Sequence, residues 1–221
     1  MTDPYCYPGT NVLINRYDIR NADSLCELER DFSNARLGSV EKIRGNFDAK
    51  HLKAIHKHLF GDVYSWAGEF RTGDIWKDGS SFCPYQDISR RLNGLHAELK
   101  VDRYMKGSYS RDAAAERLEH YFSILDKIHP FREGNGRTER VFLGQLADNA
   151  GYELDFSGVT QHDWIHASKL CAYGVHDPMQ RIFAEALRPV EQKKYELFKR
   201  RLPLIQTSSF ATEKSDDYEC D

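Results

Sequence analysis

From residue 128 to residue 140 the chain reads Ile-His-Pro-Phe-Arg-Glu-Gly-Asn-Gly-Arg-Thr-Glu-Arg. Gly134 and Gly136 flank Asn135, and two glycines so close cost a helix interior roughly 2 kcal/mol against alanine. A new apolar helical face starts just beyond them, at Val141, Phe142 and Leu146. A glycine-rich loop that feeds a helix N-terminus aims successive backbone N–H groups at one spot, and the positive end of the helix dipole adds to them. Gly134, Asn135 and Gly136 therefore predict an anion site. Arg137 and Arg140 stand three apart, on one face of the first turn, and a guanidinium fork matches phosphate oxygens. Glu133 precedes the nest. A lone carboxylate beside a polyphosphate is a usual way to hold Mg2+, with waters in the other positions. His129, at the mouth of the loop, is the candidate general base, because its ordinary pKa lies near neutrality. A base, a metal carboxylate, an anion nest and two cations are the parts needed for transfer from a nucleoside polyphosphate. The segment is not a P-loop, since the lysine is missing and the order differs. Taken singly, a histidine before proline is usually structural, and Glu133 with two arginines reads as a surface ion cluster. The contiguous run favours the chemical reading over both.

These residues need helices to place them. Residues 48–60 carry Leu52, Ile55 and Leu59 at helical spacing, and residues 87–101 carry Ile88, Leu92, Leu95 and Leu99. Ser110 can cap a helix with Leu118, Phe122, Leu125 and Ile128 on one face, and residues 137–149 follow, with Gly151 as terminator. Thr160 and Asp163 resemble a capping box, and Asp177-Pro178 a cap followed by proline. The apolar stripes, Trp164 included, are assigned to the core. Asp126, one turn before His129, either orients it or is an exposed helix residue. Residues 71–86 read differently. Ile75-Trp76 and Phe82-Cys83 flank Asp78-Gly79, a hairpin signal, and Pro84 restricts the second strand to an edge. The expected fold is mainly α with one small β-hairpin.

The bulk numbers narrow the class. The chain has 221 residues with a formal net charge of -3, so one domain is expected, spanning 1–205, before a polar, mobile tail over 206–221. No global basic field exists to hold nucleic acid. Five scattered cysteines without a Cys-x-x-Cys pair argue against disulfides and against a zinc site, and suit a reducing cytoplasm. No basic segment followed by an apolar core opens the chain, so no cleaved leader is expected. No apolar run approaches the roughly 20 residues that span a bilayer, so no membrane partner is expected.

The run from His129 to Arg140 resembles the Fic family signature, His-Pro-Phe-x-(Asp/Glu)-Gly-Asn-Gly-Arg-x-x-Arg, at every fixed position. Tyr7-Pro8-Gly9-Thr10, the stretch Ser65-Trp66-Ala67-Gly68-Glu69-Phe70-Arg71 and the hairpin also look like Fic proteins. The opening resembles bacterial Fic toxins of toxin–antitoxin pairs and, less closely, the Fic domains of secreted effectors. The resemblance implies a Fic-type helical domain with its hairpin as a flap over the active site. It implies transfer of AMP from ATP to a Ser, Thr or Tyr hydroxyl of a target protein. His129 would take the hydroxyl proton, Glu133 would hold Mg2+, and Gly134, Asn135 and Gly136 would cradle the α- and β-phosphates. Arg137 would contact the β- and γ-phosphates and Arg140 the γ-phosphate. The flap residues Ile75, Trp76, Lys77 and Phe82 would dock the target as an added strand. Phe82 either clamps the target or faces the core.

Many Fic proteins are silenced by a Ser/Thr-x-x-x-Glu-Gly/Asn helix whose glutamate pairs with the second motif arginine, here Arg140. Glu69 and Glu213 follow Ser65 and Ser209 at that spacing, but Phe70 and Lys214 stand where Gly or Asn belongs. A separate antitoxin is therefore expected to supply the helix. The resemblance points to the ATPase subunits of DNA gyrase and topoisomerase IV as targets. The alternatives are an effector that is translocated into a host cell and modifies GTPases, a different donor, and a non-catalytic nucleotide-binding module.

Overall fold

A computed structural model describes residues 3–77 and 80–190. Among the described residues seven α-helices surround one apolar core. They are α1 (Ala22–Leu37), α2 (Ala49–Phe60), α3 (Ile88–Val101), α4 (Arg111–Ile128), α5 (Asn135–Asn149), α6 (Gln161–Ala172) and α7 (Asp177–Ala186). The strands are β1 (Trp76–Lys77), β2 (Ser80–Ser81), β3 (Tyr152–Leu154) and β4 (Leu187–Pro189). The mainly α fold class is the expected one. The tail over 206–221 lies outside the described residues.

Helix α4 is the axis. It packs against α3, α5, α6 and α7, while α2 lies between α1 and α5. Its start and its end follow from sequence. The Ser110 hydroxyl accepts the Ala113 N–H at 3.2 Å, which satisfies one of the donors a helix start leaves open. Ala114, Leu118, Phe122 and Leu125 then recur on one face and are fully buried. At the other end His129 turns left-handed, with φ 47° and ψ 63°, and Pro130 follows. Proline disfavours helix in the residue before it, so α4 must stop where the chemical run begins.

The Asp48 side chain caps α2, accepting the His51 N–H at 2.8 Å. Thr160 caps α6 by accepting the Asp163 N–H at 3.1 Å. Two ends differ from expectation. Helix α5 starts at Asn135 rather than at residue 137, because Gly134, at φ +80°, makes the turn into it alone. Helix α7 is flanked by His176 rather than capped by Asp177, although Pro178 still falls in its first turn.

Strand β1 pairs antiparallel with β2, Trp76 opposite Ser81 and Lys77 opposite Ser80. The Asp78-Gly79 turn lies outside the described residues. A second antiparallel pair, β3 with β4, places Leu154 opposite Leu187 and Tyr152 opposite Pro189. It was not expected, because three residues are too few to show an alternating pattern. Helix α1 was also missed. Its buried residues are Leu25, Glu29 and Ser33, so the stripe has helical spacing but is polar at two of three positions.

Candidate active site

The loop from His129 to Gly134 is held mainly from behind. Asn135 is buried and its side chain turns back onto Phe131, whose N–H it meets with Oδ1 at 2.9 Å and whose carbonyl it meets with Nδ2 at 2.8 Å. This amide clips the loop shut and leaves only its backbone N–H for an anion. His56, from α2, stacks on Phe131 with ring centroids 3.8 Å apart. Its Nε2 lies 2.9 Å from the Glu133 carbonyl and its Nδ1 2.8 Å from the Gly68 N–H. With Nδ1 accepting, Nε2 donates. Burial, the largest effect, and the nearby Arg137 push the His56 pKa down to about 4. It is a neutral brace.

Gly134 cannot be replaced without movement. A β-carbon there would lie 2.4 Å from Cε2 of Phe60. Gly136 meets nothing closer than Arg140 Nη1 at 3.8 Å, so the space beside it is open. The first intrahelical donor of α5 is Thr138, bonded to the Gly134 carbonyl at 3.1 Å. The N–H groups of Asn135, Gly136 and Arg137 precede it at the dipole's positive end. The Glu133 carboxylate sits at the same end, with Oε1 accepting the Gly134 N–H at 2.9 Å.

His129 has its Nδ1 buried, 3.7 Å from Asp126 Oδ1. Asp126, His129 and Glu139 bring one ligand atom each within 4.8 Å of one another. Asp126 lies near the histidine without hydrogen-bonding it. Phe82 lies flat on the imidazole, ring centroids 3.8 Å apart at 15°. Half-buried, it covers one face of the histidine. Trp76 is 70% exposed, Ile75 is half-buried, and Lys77 enters through its backbone pairing.

The two arginines part company. Arg137 Nη2 pairs with Glu29 Oε1 and Nη1 donates to Ser33 at 2.8 Å, both on α1, while its guanidinium lies over Phe60 at 4.6 Å. Tyr64 donates to the second oxygen of Glu29 at 2.5 Å. Arg140 instead lies over Trp164 at 5.3 Å, and its burial lowers its pKa. Trp164 packs edge-on against Phe122 and Phe156, as core.

Arg71 joins flap to loop. Its side chain is fully buried. It donates to the His129 carbonyl at 2.9 Å, to Cys83 at 2.5 Å, to Gly73 at 2.9 Å and to Ile128 at 3.3 Å. Glu29, His56 and Arg71 had no predicted role. Each reaches the site from a distant segment, and the sequence signal for Arg71 was its place in the stretch that ends at Phe70-Arg71.

Known proteins place this arrangement. Residues 46–147 match the model of the Fic/DOC family. A probable protein adenylyltransferase Fic from Salmonella typhimurium is 35% identical over 188 residues, which is 84% of this chain and 92% of that protein. The protein adenylyltransferase VbhT of Bartonella schoenbuchensis is 39% identical over 84% of this chain, and the match spans 39% of VbhT. The structure of BepC, a VirB-translocated effector from Bartonella tribocorum with bound AMPPNP, superposes with a TM-score of 0.79 at 29% identity, covering 84% of this chain and 96% of that one. A Fic domain from Bartonella quintana with bound ADP gives a TM-score of 0.77 at 30% identity, over 86% of this chain and 97% of that one. The chain belongs to the Fic/DOC family, with the protein adenylyltransferases.

Proposed function

We propose that the chain moves the AMP part of ATP onto a Ser, Thr or Tyr hydroxyl of a target protein laid along β1. The observation that carries this reading is the placing of His129, with its Nδ1 buried toward Asp126, at the mouth of a loop that opens onto the N-terminus of α5. The hydroxyl proton passes to His129 Nε2. The oxygen bonds to the α-phosphorus as the bond to the pyrophosphate oxygen breaks, and pyrophosphate leaves. The N–H groups of Asn135, Gly136 and Arg137 hold phosphate oxygens. Arg137 adds its charge while Glu29 and Ser33 fix its direction, and Arg140 takes the γ-phosphate. Glu133 fits a hard cation, since its carboxylate is anchored by one oxygen at the phosphate end of α5. Mg2+ bound there supplies charge neutralisation to the phosphates. We read residues 1–205 as one domain that does this work.

The silencing partner is proposed as a separate antitoxin helix of the Ser/Thr-x-x-x-Glu-Gly/Asn kind. Glu69 is engaged by Lys53 at 2.9 Å, Glu213 lies outside the described residues, and Glu29 serves Arg137 rather than Arg140. That neither Glu69 nor Glu29 serves Arg140 supports a glutamate supplied from elsewhere. The proposed targets are the ATPase subunits of DNA gyrase and topoisomerase IV, modified in the cytoplasm without contact to nucleic acid. A second reading, a translocated effector, is favoured by the likeness to VirB-translocated Bartonella proteins. No helix of the described residues is long and apolar enough to cross a membrane.

Labelled ATP with Mg2+ and bacterial or host-cell lysate separates these readings. A labelled bacterial band that His129→Ala abolishes supports the toxin, and a band confined to host lysate supports the effector. Equal labelling by His129→Ala would refute the transferase reading.

A further inference from the structure

Besides the phosphate loop, a second set of ligand-type side chains meets where α4, α6 and the start of α7 join. Glu119 projects from α4, Cys171 from α6, and His176 immediately precedes α7. Glu119 and Cys171 are buried, and the His176 side chain is 40% exposed. His176 Nδ1 lies 2.6 Å from Glu119 Oε1, and the Cys171 thiol donates to the same oxygen at 3.7 Å. One ligand atom from each residue falls within 4.8 Å of the others. We propose that Glu119, Cys171 and His176 form a structural binding site for a zinc-class divalent ion, independent of the nucleotide site.

The donor set decides the class of ion. A thiolate, an imidazole and a carboxylate suit zinc, whereas Mg2+ takes oxygen and keeps several waters. Bond lengths of about 2.3 Å to sulfur and 2.0 Å to nitrogen and oxygen put tetrahedral ligand atoms roughly 3.3–3.6 Å apart. The contacts at 2.6 and 3.7 Å straddle that spacing. The segment that must open is short, and it follows Gly174 at φ +82°. The exposed side of His176 leaves a fourth position to water. On binding, the ion–sulfur bond replaces the S–H bond, and the proton leaves to solvent. The ion also gives a buried carboxylate two positive charges where the polar contacts above offer it one thiol and one imidazole. The result staples α4, which ends at His129, to α6, whose Trp164 lies under Arg140. The expectation of no zinc site rested on the lack of a Cys-x-x-Cys pair; Cys171 and His176 lie five apart, and Glu119 joins them from α4 through space.

The full chain, stripped with chelator, is titrated with Co2+ as the probe. The expected result is one equivalent bound with a thiolate-to-cobalt charge-transfer band, abolished by Cys171→Ser and displaced by Zn2+ with a rise in melting temperature. His176→Asn, at a half-exposed position, should keep the fold and weaken binding at least about tenfold. Cys26→Ser, which removes the exposed thiol, should change nothing. His162 and His166 stack on the exposed side of α6, 6.2 Å apart, and offer a nitrogen-only competitor. Uptake without the thiolate band, uptake equal in Cys171→Ser, or no uptake would each overturn the proposal and leave a hydrogen-bonded triad only.

Discussion

Gly134 and Gly136 stand two residues apart, yet alanine at each should move stability in opposite directions. At Gly134 the backbone sits at φ +80°, which costs an L-residue roughly 1–2 kcal/mol. The new methyl also falls 2.4 Å from Cε2 and 2.5 Å from Cζ of Phe60, a ring only 1% exposed and so without room to retreat. Overpacking of that kind costs about 1–3 kcal/mol. Together they predict a loss of about 2–5 kcal/mol, or a fall in melting temperature on the order of 5–15 °C for a chain of this size. Phe60 also carries the Arg137 guanidinium, so a displaced ring should raise KM for ATP as well. At Gly136 the residue is helical and the methyl meets nothing nearer than 3.8 Å. Alanine there should stabilise by about 0.5–1 kcal/mol, while filling space meant for phosphate and lowering kcat/KM at least about tenfold. Calorimetry and steady-state labelling of both variants test this. Gly134→Ala melting with the wild type, or Gly136→Ala with normal kcat/KM, would refute the reasoning.

Glu29→Gln should keep the fold but free Arg137, raising KM for ATP by the roughly 1.5–3 kcal/mol of a charge-assisted bond; an unchanged KM in steady-state labelling would remove Glu29 from the site. Phe82→Ala uncovers one face of His129, so modification by an imidazole-directed reagent should quicken while stability falls by only about 0.5–1.5 kcal/mol. His56 is held neutral in the fold, with its pKa lowered from 6.5 to about 4. The unfolded chain therefore binds the extra proton first, and the stability His56 contributes is present above about pH 6.5 and lost as pH falls toward 4. That loss is about 3 kcal/mol, read as the difference between wild-type and His56→Gln denaturant curves at pH 7 and 4.5.

Helices α2, α4 and α6 were legible, since Asp48, Ser110 and Thr160 each announce a start and each makes its bond. Helix α1 was not, because Glu29 and Ser33 occupy buried positions that an apolar count expects to be hydrophobic. They are polar because they face Arg137. The chemical run was legible for the opposite reason, that its parts are contiguous. What escaped was everything brought to it through space. His56 and Arg71 act on backbone carbonyls of the loop, and a carbonyl leaves no trace in the identity of the residue that owns it. The tie of the Asn135 side chain to Phe131 was likewise invisible, and it leaves the backbone N–H of Asn135 open.

Arg71 grips the chain by main-chain oxygens at Gly73, Cys83, Ile128 and His129. Such a grip is indifferent to the side chains from 75 to 81, whereas Asp74 pairs with Arg71 at 3.6 Å and Phe82 covers His129. Residues 75–81 can be rewritten, by drift or by grafting, while Asp74 and Phe82 are kept. Under the proposed function, the part that chooses a substrate is then separate from the part that reacts, and a chimeric enzyme with residues 75–81 transplanted should inherit its donor's targets at the recipient's rate.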